Sequence, residues 1–209
     1  MKVAAVIPAF NEEETIGPVL DTVTSLKDIA EIIVVNDGST DRTGEVARRH
    51  GARVHDLLTN QGKGAAMQAG ADSTQADVIL FLDADLIGLS AHHVRTLLRP
   101  VVDGEADMSI GVFEGGRVAT DLAQVVAPYL SGQRAVRRAL LSAISDLEVS
   151  RFGVEIALTR YAKRTGSRVV EVELSDLTHR MKEEKLGLVR GFAARMRMYW
   201  EIVKYAGRR

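Results

Sequence analysis

The segment Val78-Ile79-Leu80-Phe81-Leu82-Asp83-Ala84-Asp85 is the clearest indication of the fold of this chain. An apolar run of this length is typical of a buried strand in a parallel sheet, and here it ends in two acids one residue apart. Acids that follow such a strand lie at the carboxyl edge of the sheet, where open α/β folds bind ligands. Two neighbouring carboxylates repel each other, and a divalent cation that carries a phosphate would compensate both. The alternative at this point is a strand that opens into a solvated loop with two acids of no special role.

Composition excludes several classes of protein. The chain has 209 residues, of which 46% are hydrophobic and 26% charged, as in an ordinary globular domain. A formal net charge of -1 argues against binding of nucleic acid through bulk positive charge. The absence of cysteine excludes disulfides, a thiol nucleophile and a zinc–thiolate site. No secretory signal pattern and no apolar stretch of membrane-span length is present, so we expect a cytoplasmic protein.

Strand and helix patterns alternate through the first half of the chain. Buried strands are predicted over residues 3–7, 31–35 and 78–82, with a short strand at 53–54. Amphipathic or small-residue helices are predicted between them, with Asn11 as the N-cap of the first and Ser90 as the cap of a later one. This alternation predicts a doubly wound α/β fold with a mostly parallel central sheet and helices on both faces.

The second half has a less regular pattern. A strand is predicted over 108–112 and a half-exposed strand over 168–174. Helices are predicted over 119–127, 133–144 and 154–164. The tail from residue 186 to 209 is amphipathic and predicts a C-terminal helix.

Three successive strands of the first half end in polar loops. The loops carry Asn11 and Glu12, then Asp37, then Asp83 and Asp85. Because the carboxyl ends of parallel strands meet at one edge of a sheet, we expect these loops to converge on one crevice. Because three loops agree, we favour a ligand-binding crevice over the alternative in which the two acids belong to a solvated loop.

A fourth loop, Gly62-Lys63-Gly64, has the residues of a phosphate site. Glycine lets the backbone approach a phosphate, and the lysine ammonium balances its charge; the alternative is a turn with an exposed lysine. The sequence contains neither the P-loop pattern nor a G-x-G-x-x-G after a strand. It therefore lacks the main motifs of nucleotide kinases and of Rossmann dehydrogenases. A nucleotidyltransferase would need a glycine-rich loop after the first strand, and none is present there.

Three motifs, at residues 6–12 (Val-Ile-Pro-Ala-Phe-Asn-Glu), 35–41 (Val-Asn-Asp-Gly-Ser-Thr-Asp) and 83–85, resemble the nucleotide-sugar glycosyltransferases of family two and their relatives. The resemblance covers residues 1–110 and implies the GT-A fold. It implies that Asp85 coordinates Mg²⁺ or Mn²⁺ on the donor diphosphate, that Asp83 lies near the ribose and that Asp37 reads the base, which favours uracil. The implied donor-binding residues are Pro8, Ala9, Phe10, Glu12, Asp37, Gly62, Lys63, Asp83 and Ala84.

Motifs of the second half, at residues 115–118, 128–135, 152–156 and 178–180, resemble glucosyl-3-phosphoglycerate synthases. The resemblance implies an acceptor site formed by Gly116, Arg117, Thr120 and Glu155, and a metal site completed by His179. Ala119 stands where that family has threonine, which leaves the acceptor open. The expected catalytic residues are Asp85, Glu155, which would orient the acceptor, and Arg134. The developing charge of the leaving diphosphate also needs a positive group, and we expect Lys63 or Arg134 to supply it.

The sequence therefore predicts a metal-dependent glycosyltransferase that moves a hexose from a nucleotide-sugar donor such as UDP-glucose to a small phosphorylated acceptor such as 3-phosphoglycerate. Residues 131–135 also resemble polyprenyl-phosphate sugar transferases, whose acceptor is a lipid. The synthases retain and the lipid enzymes invert the anomeric configuration, and the sequence leaves this outcome open. The alternative from another class is a catalytically silent nucleotide-sugar-binding module.

The simplest division of the chain is one domain over residues 1–209. Residues 1–110 form the nucleotide-sugar half, 111–185 the acceptor half and 186–209 the C-terminal helix. That helix could lie on a membrane surface, pack on the domain or pair across a homodimer.

Overall fold

The structure, a computed structural model, describes residues 1–113, 131–142 and 154–179. Seven strands form one sheet in the order β3-β2-β1-β4-β7-β6-β8, and β5 pairs with β9 in a separate two-stranded sheet. The strands are β1 (Val3–Ala9), β2 (Glu31–Asp37), β3 (Arg53–Leu57), β4 (Val78–Phe81), β5 (Leu86–Ile87), β6 (Met108–Phe113), β7 (Arg134–Arg137), β8 (Val169–Leu174) and β9 (Thr178–His179).

Six helices are described alongside these strands. They are α1 (Ile16–Thr24), α2 (Thr43–Arg49), α3 (Lys63–Asp72), α4 (Ala91–Val102), α5 (Arg138–Ser142) and α6 (Val154–Thr165). The mixed α/β class, the mostly parallel sheet and the cap of α4 by Ser90 are confirmed. Within the described ranges, no helix has the length and apolar character that a membrane crossing requires.

Alternate residues of the central strands point to opposite faces of the sheet, so the core is divided into two layers. On one face Ile7 and Leu80 pack with the apolar sides of α1, α2 and α4. On the other face Val6 and Phe81 pack with α3, α5 and α6. Helix α3 lies very close to the sheet, because a Cβ on Gly70 would meet Val6 Cγ1 at 2.3 Å. The close packing of α3 on the sheet therefore requires small residues in this helix.

The direction of β7 brings the second half of the chain to the acidic strand end. β4 is parallel to β1, whereas β7 runs antiparallel to β4, with Phe81 opposite Arg134. Residues that precede β7 therefore lie beside residues that follow β4. By this topology, the loop 131–133 adjoins Asp83.

Two sequence predictions about local structure are wrong. Helix α1 begins at Ile16, and Asn11 does not cap it; Asn11 has a φ of 56° and its side chain accepts a hydrogen bond from the backbone N–H of Thr40. The predicted helix over 133–144 is strand β7 followed by the short helix α5. The apolar spacing of that segment is compatible with a helix or a strand. The segment forms a strand because β7 pairs with β4 and β6.

Candidate active site

The carboxylate of Asp83 lies between two donors that come from different halves of the chain. Its Oδ1 is 2.6 Å from Nζ of Lys63, and its Oδ2 accepts a hydrogen bond of 3.0 Å from Nε2 of Gln133. Gly132 fits against this pair because it has no side chain: a Cβ there would lie 2.4 Å from Lys63 Nζ and 2.5 Å from Asp83 Oδ1. Asp83 and Lys63 are thus brought together as the sequence predicted.

Lys63 is the first residue of α3, and the loop that precedes it is fastened to Asp37. The two carboxylate oxygens of Asp37 accept hydrogen bonds from the backbone N–H groups of Gln61, at 2.7 Å, and Gly62, at 2.9 Å. Gly62 has a φ of +94°, in the region that favours glycine. Asp37 is only 3% exposed. Its carboxylate therefore shapes the loop that presents Lys63, and its expected contact with a base stays a prediction.

The loops after β1 and β2 are joined by side-chain bonds to backbone N–H groups. The N–H of Asn11 donates to Ser39 Oγ at 3.0 Å, and that of Glu12 donates to Thr43 Oγ1 at 2.8 Å. Asp41 accepts from the N–H groups of Glu13 and Thr43. These bonds fix the rim of the crevice where the nucleoside pocket is expected.

Burial alone would raise the pKa of Asp41, but hydrogen bonds from the Thr43 hydroxyl and from the backbone of Thr43 and Glu13 outweigh it and lower the pKa below its ordinary value. Asp41 therefore stays ionised at neutral pH. Its negative charge holds both loops through these donors.

The predicted donor residues after β1 lie at this rim. Pro8 and Ala9 end β1, with Ala9 buried, and Phe10 follows with 45% of its surface exposed. Glu12 Oε2 accepts a hydrogen bond of 2.7 Å from Thr15 Oγ1. An exposed aromatic ring at the mouth of the crevice suits contact with a nucleoside.

Asp85 is half-buried two residues after Asp83, directly before β5, and Ala84 between them is buried. Strand β5 pairs antiparallel with β9, which places Leu86 opposite His179. The backbone of His179 is thereby brought beside Asp85, as a shared metal site requires. In the parts of the chain that the structure describes, no three His, Cys, Asp or Glu side chains form a metal cluster; the side chain of His179 lies outside them.

The guanidinium of Arg134 lies inside the protein. The residue is 0% exposed, its Nε donates to the carbonyl of Ser131 at 2.8 Å, and its Nη1 donates to Thr159 Oγ1 at 2.8 Å. These bonds brace β7 against α6. Contact with a diphosphate would require Arg134 to leave these partners, and its catalytic role stays a prediction.

The predicted acceptor residues are placed only in part. Gly116, Arg117 and Thr120 lie outside the described residues. The backbone of Glu155 belongs to the first turn of α6, one turn before Thr159, and its side chain lies outside the described part. The acceptor site therefore stays a prediction.

Sequence reasoning missed Gly132 and Gln133 as parts of the site. Their place beside Asp83 depends on the antiparallel direction of β7, which no local pattern shows. The local sequence carried no signal for this role, because the segment from residue 133 was predicted to be helical. Gln133 is 0% exposed.

The sheet, its two helical layers and the acidic crevice at the end of β4 have the arrangement of the GT-A fold. The chain belongs to glycosyl transferase family 2, whose family model matches residues 4–167.

The relatives found by comparison agree with this assignment. The chain is 32% identical over 194 residues to glucosyl-3-phosphoglycerate synthase of Mycobacterium tuberculosis, an alignment that covers 75% of this chain and 59% of the relative. It thus spans less than two thirds of the length of that synthase. A 4,4'-diaponeurosporenoate glycosyltransferase of Staphylococcus aureus is 39% identical over 98 residues, covering 44% of this chain and 26% of the relative.

Solved structures of the Mycobacterium tuberculosis synthase share the fold. Its complex with Mn²⁺, UDP-glucose and phosphoglyceric acid matches with a TM-score of 0.74 and 32% identity, covering 86% of this chain and 71% of that one. A complex of the same synthase with Mg²⁺ and UDP matches with the same score and coverage. At this level of sequence identity and structural similarity, the chain has the GT-A fold.

Proposed function

We propose that this protein is a metal-dependent glucosyltransferase that moves glucose from UDP-glucose to 3-phosphoglycerate or a closely similar small phosphorylated acceptor. The observation that carries the proposal is the pairing of Leu86 with His179 beside the acids Asp83 and Asp85. It unites the donor half with a residue of the acceptor half in the way a synthase of this family requires. The similarity to a synthase solved with UDP-glucose and phosphoglyceric acid supports the choice of substrates.

The donor set fits a hard divalent cation. A carboxylate from Asp85 and an imidazole from His179 would supply two protein ligands, and Mg²⁺ or Mn²⁺ commonly fills its remaining positions with phosphate oxygens and water. When bound, the cation supplies a Lewis acid for the charge that develops on the leaving diphosphate. We therefore propose Asp85 and His179 as the residues that hold it.

The charges of the crevice suit a nucleoside diphosphate as the leaving group. Lys63 places an ammonium group at the N-terminus of α3, so the side chain and the helix dipole bring positive charge to the same place. Asp83 keeps that ammonium at the floor of the crevice, at 2.6 Å. We propose that Lys63 stabilises the diphosphate and that Asp83 accepts a hydrogen bond from the ribose.

The acceptor half of the proposal rests on sequence. Arg117 would bind the acceptor phosphate, since a guanidinium matches phosphate geometry, and Glu155 would orient the attacking hydroxyl. Gly116 and Thr120 complete this proposed site. We keep four further predictions: a C-terminal helix, a homodimer, peripheral membrane contact and a cytoplasmic location. The residues predicted to form that helix lie within 180–209, which are outside the described part.

The test is an assay of the purified protein with a panel of nucleotide sugars, with Mn²⁺ or Mg²⁺, and with 3-phosphoglycerate or a polyprenyl phosphate as acceptor. We expect glucosyl-3-phosphoglycerate from UDP-glucose, and none after addition of EDTA. The Asp85→Ala variant should lose this activity, whereas Asp28→Ala, at a surface ion pair with Arg95, should keep it. Transfer only to the lipid acceptor, or binding of UDP without turnover with any acceptor, would contradict the proposal.

A further inference from the structure

Gln133 is a fully buried polar residue that the proposed chemistry does not use. Its backbone carbonyl accepts a hydrogen bond of 2.9 Å from the N–H of Gly111, so its main chain is held against β6. Its side chain crosses to the end of β4 and reaches Asp83 Oδ2 at 3.0 Å. Because both the backbone and the side-chain amide of Gln133 are hydrogen-bonded, the side chain has a fixed position relative to the crevice.

The chemistry of the two groups decides which end of the amide faces Asp83. An ionised carboxylate only accepts hydrogen bonds, so the group that faces it must be the amide nitrogen. The amide oxygen of Gln133 then lies 3.0 Å from Ser131 Oγ, whose hydroxyl donates to the carbonyl of Gly111 at 2.5 Å. Gln133 thus presents a neutral donor to one oxygen of Asp83, while Lys63 presents a charged donor to the other.

This arrangement sets the orientation of the Asp83 carboxylate. Asp83 and Asp85 follow the same strand, and a carboxylate free to turn could serve as a second metal ligand. A donor on each oxygen opposes such rotation. The neutral amide of Gln133 restrains the carboxylate without adding a charge beside the Lys63–Asp83 pair. An added charge would change the electrostatic potential at the diphosphate.

We infer that Gln133 is a positioning residue for donor binding: it fixes the Asp83 carboxylate so that Asp83 receives the nucleotide rather than turning toward the cation at Asp85. This inference rests on the proposed function for the identity of the nucleotide. It assigns Gln133 no contact with the reacting atoms. Gln133 acts on the nucleotide through its hydrogen bond to Asp83.

A double-mutant cycle tests the inference, with the affinity for UDP and Mn²⁺ measured by calorimetry on the full chain. Gln133→Met keeps the length of the side chain and removes the donor. We expect it to weaken binding of UDP with Mn²⁺ by about tenfold or more, the loss typical of one hydrogen bond to a charged group. Asp83→Asn should weaken binding too, and the double variant should bind no more weakly than Asp83→Asn.

Ser109→Ala is the matched control, because Ser109 is equally buried and its hydroxyl donates to the carbonyl of Leu97 in α4, away from Asp83. It should lower the melting temperature and leave the affinity for UDP unchanged. Should Gln133→Met not fold, Gln133→Asn keeps the amide, withdraws it from Asp83, and carries the same expectation. Wild-type affinity in both Gln133 variants, or losses that add in the double variant, would overturn the inference.

The measurement needs neither acceptor nor turnover, so it separates this inference from the proposed function. A protein that binds UDP with Mn²⁺ and shows the expected cycle, but transfers no glucose, overturns only the proposed function. A protein that transfers glucose and shows additive losses overturns only the role of Gln133. Absence of any affinity for UDP with Mn²⁺ overturns both.

Discussion

His179 lies opposite Leu86 in a two-stranded antiparallel sheet, although the two residues belong to opposite halves of the sequence. Leu86 follows Asp85 directly, so this pairing is what joins the first half of the proposed metal site to the second. A short sheet of this kind has few bonds of its own, and a bound cation would add to its stability.

Replacing His179 with alanine tests this arrangement. We expect His179→Ala to raise the Mn²⁺ concentration needed for half-maximal activity by roughly tenfold or more, because loss of a ligand or of its support weakens a metal site by at least that factor. Titration of activity with Mn²⁺ measures it. His92→Ala, an exposed histidine on α4, is the control and should titrate like the wild type. An unchanged titration for His179→Ala would remove His179 from the metal site.

Gly132→Ala tests the close approach of the loop before β7 to the floor of the crevice. The new Cβ would lie 2.4 Å from Lys63 Nζ and 2.5 Å from Asp83 Oδ1, so the Lys63–Asp83 pair must rearrange. We expect a higher KM for UDP-glucose, measured by steady-state kinetics. If displacement of Lys63 is the cause, the Lys63→Ala, Gly132→Ala double variant should have the same KM as Lys63→Ala. A further increase would point to a different effect of the alanine.

Asp37→Asn tests the loop that leads to Lys63. Asparagine offers one acceptor where the carboxylate uses two, so the N–H of either Gln61 or Gly62 loses its partner. We expect unfolding to become easier by about 1–3 kcal/mol, the usual cost of a buried group left unsatisfied. Urea titration measures this, and the KM for UDP-glucose should rise in the same variant. Normal stability with a raised KM would indicate that Asp37 acts on the nucleotide alone.

Asp41→Asn should show a stability effect that depends on pH. The pKa of Asp41 is lowered in the folded protein, so the ionised carboxylate contributes stability above its unfolded pKa, and this contribution is lost as the pH falls through the folded pKa. We therefore expect the wild type to be more stable than Asp41→Asn at pH 7, and the difference to shrink below about pH 4.

Urea titrations from pH 7 downward measure that difference. Asp103→Asn, at an exposed ion pair with Arg99, is the control and should show little effect at any pH. A difference between wild type and Asp41→Asn that does not change with pH would contradict the role given to the charge.

Much of the fold and part of the site could be predicted from the sequence. The runs over 3–7, 31–35 and 78–82 are apolar on both faces, which only a covered parallel sheet accommodates, so β1, β2 and β4 and their loops followed directly. The strand-end rule then predicted that Glu12, Asp37 and Asp83 lie at one edge of the sheet. Asn11 was misassigned because an asparagine that caps a helix and one that joins two loops have the same local sequence signal.

The features that depend on the direction of β7 could not be predicted from local sequence. The segment after residue 133 has an apolar spacing that suits a helix or a strand, and its pairing with β4 and β6 is a long-range interaction that no local pattern encodes. Local sequence patterns were enough to predict that two acids, a lysine and a glycine-rich loop meet at the end of a buried strand. The antiparallel return of β7 decided that Gly132 and Gln133 complete their surroundings, because strand direction fixes which loops become neighbours.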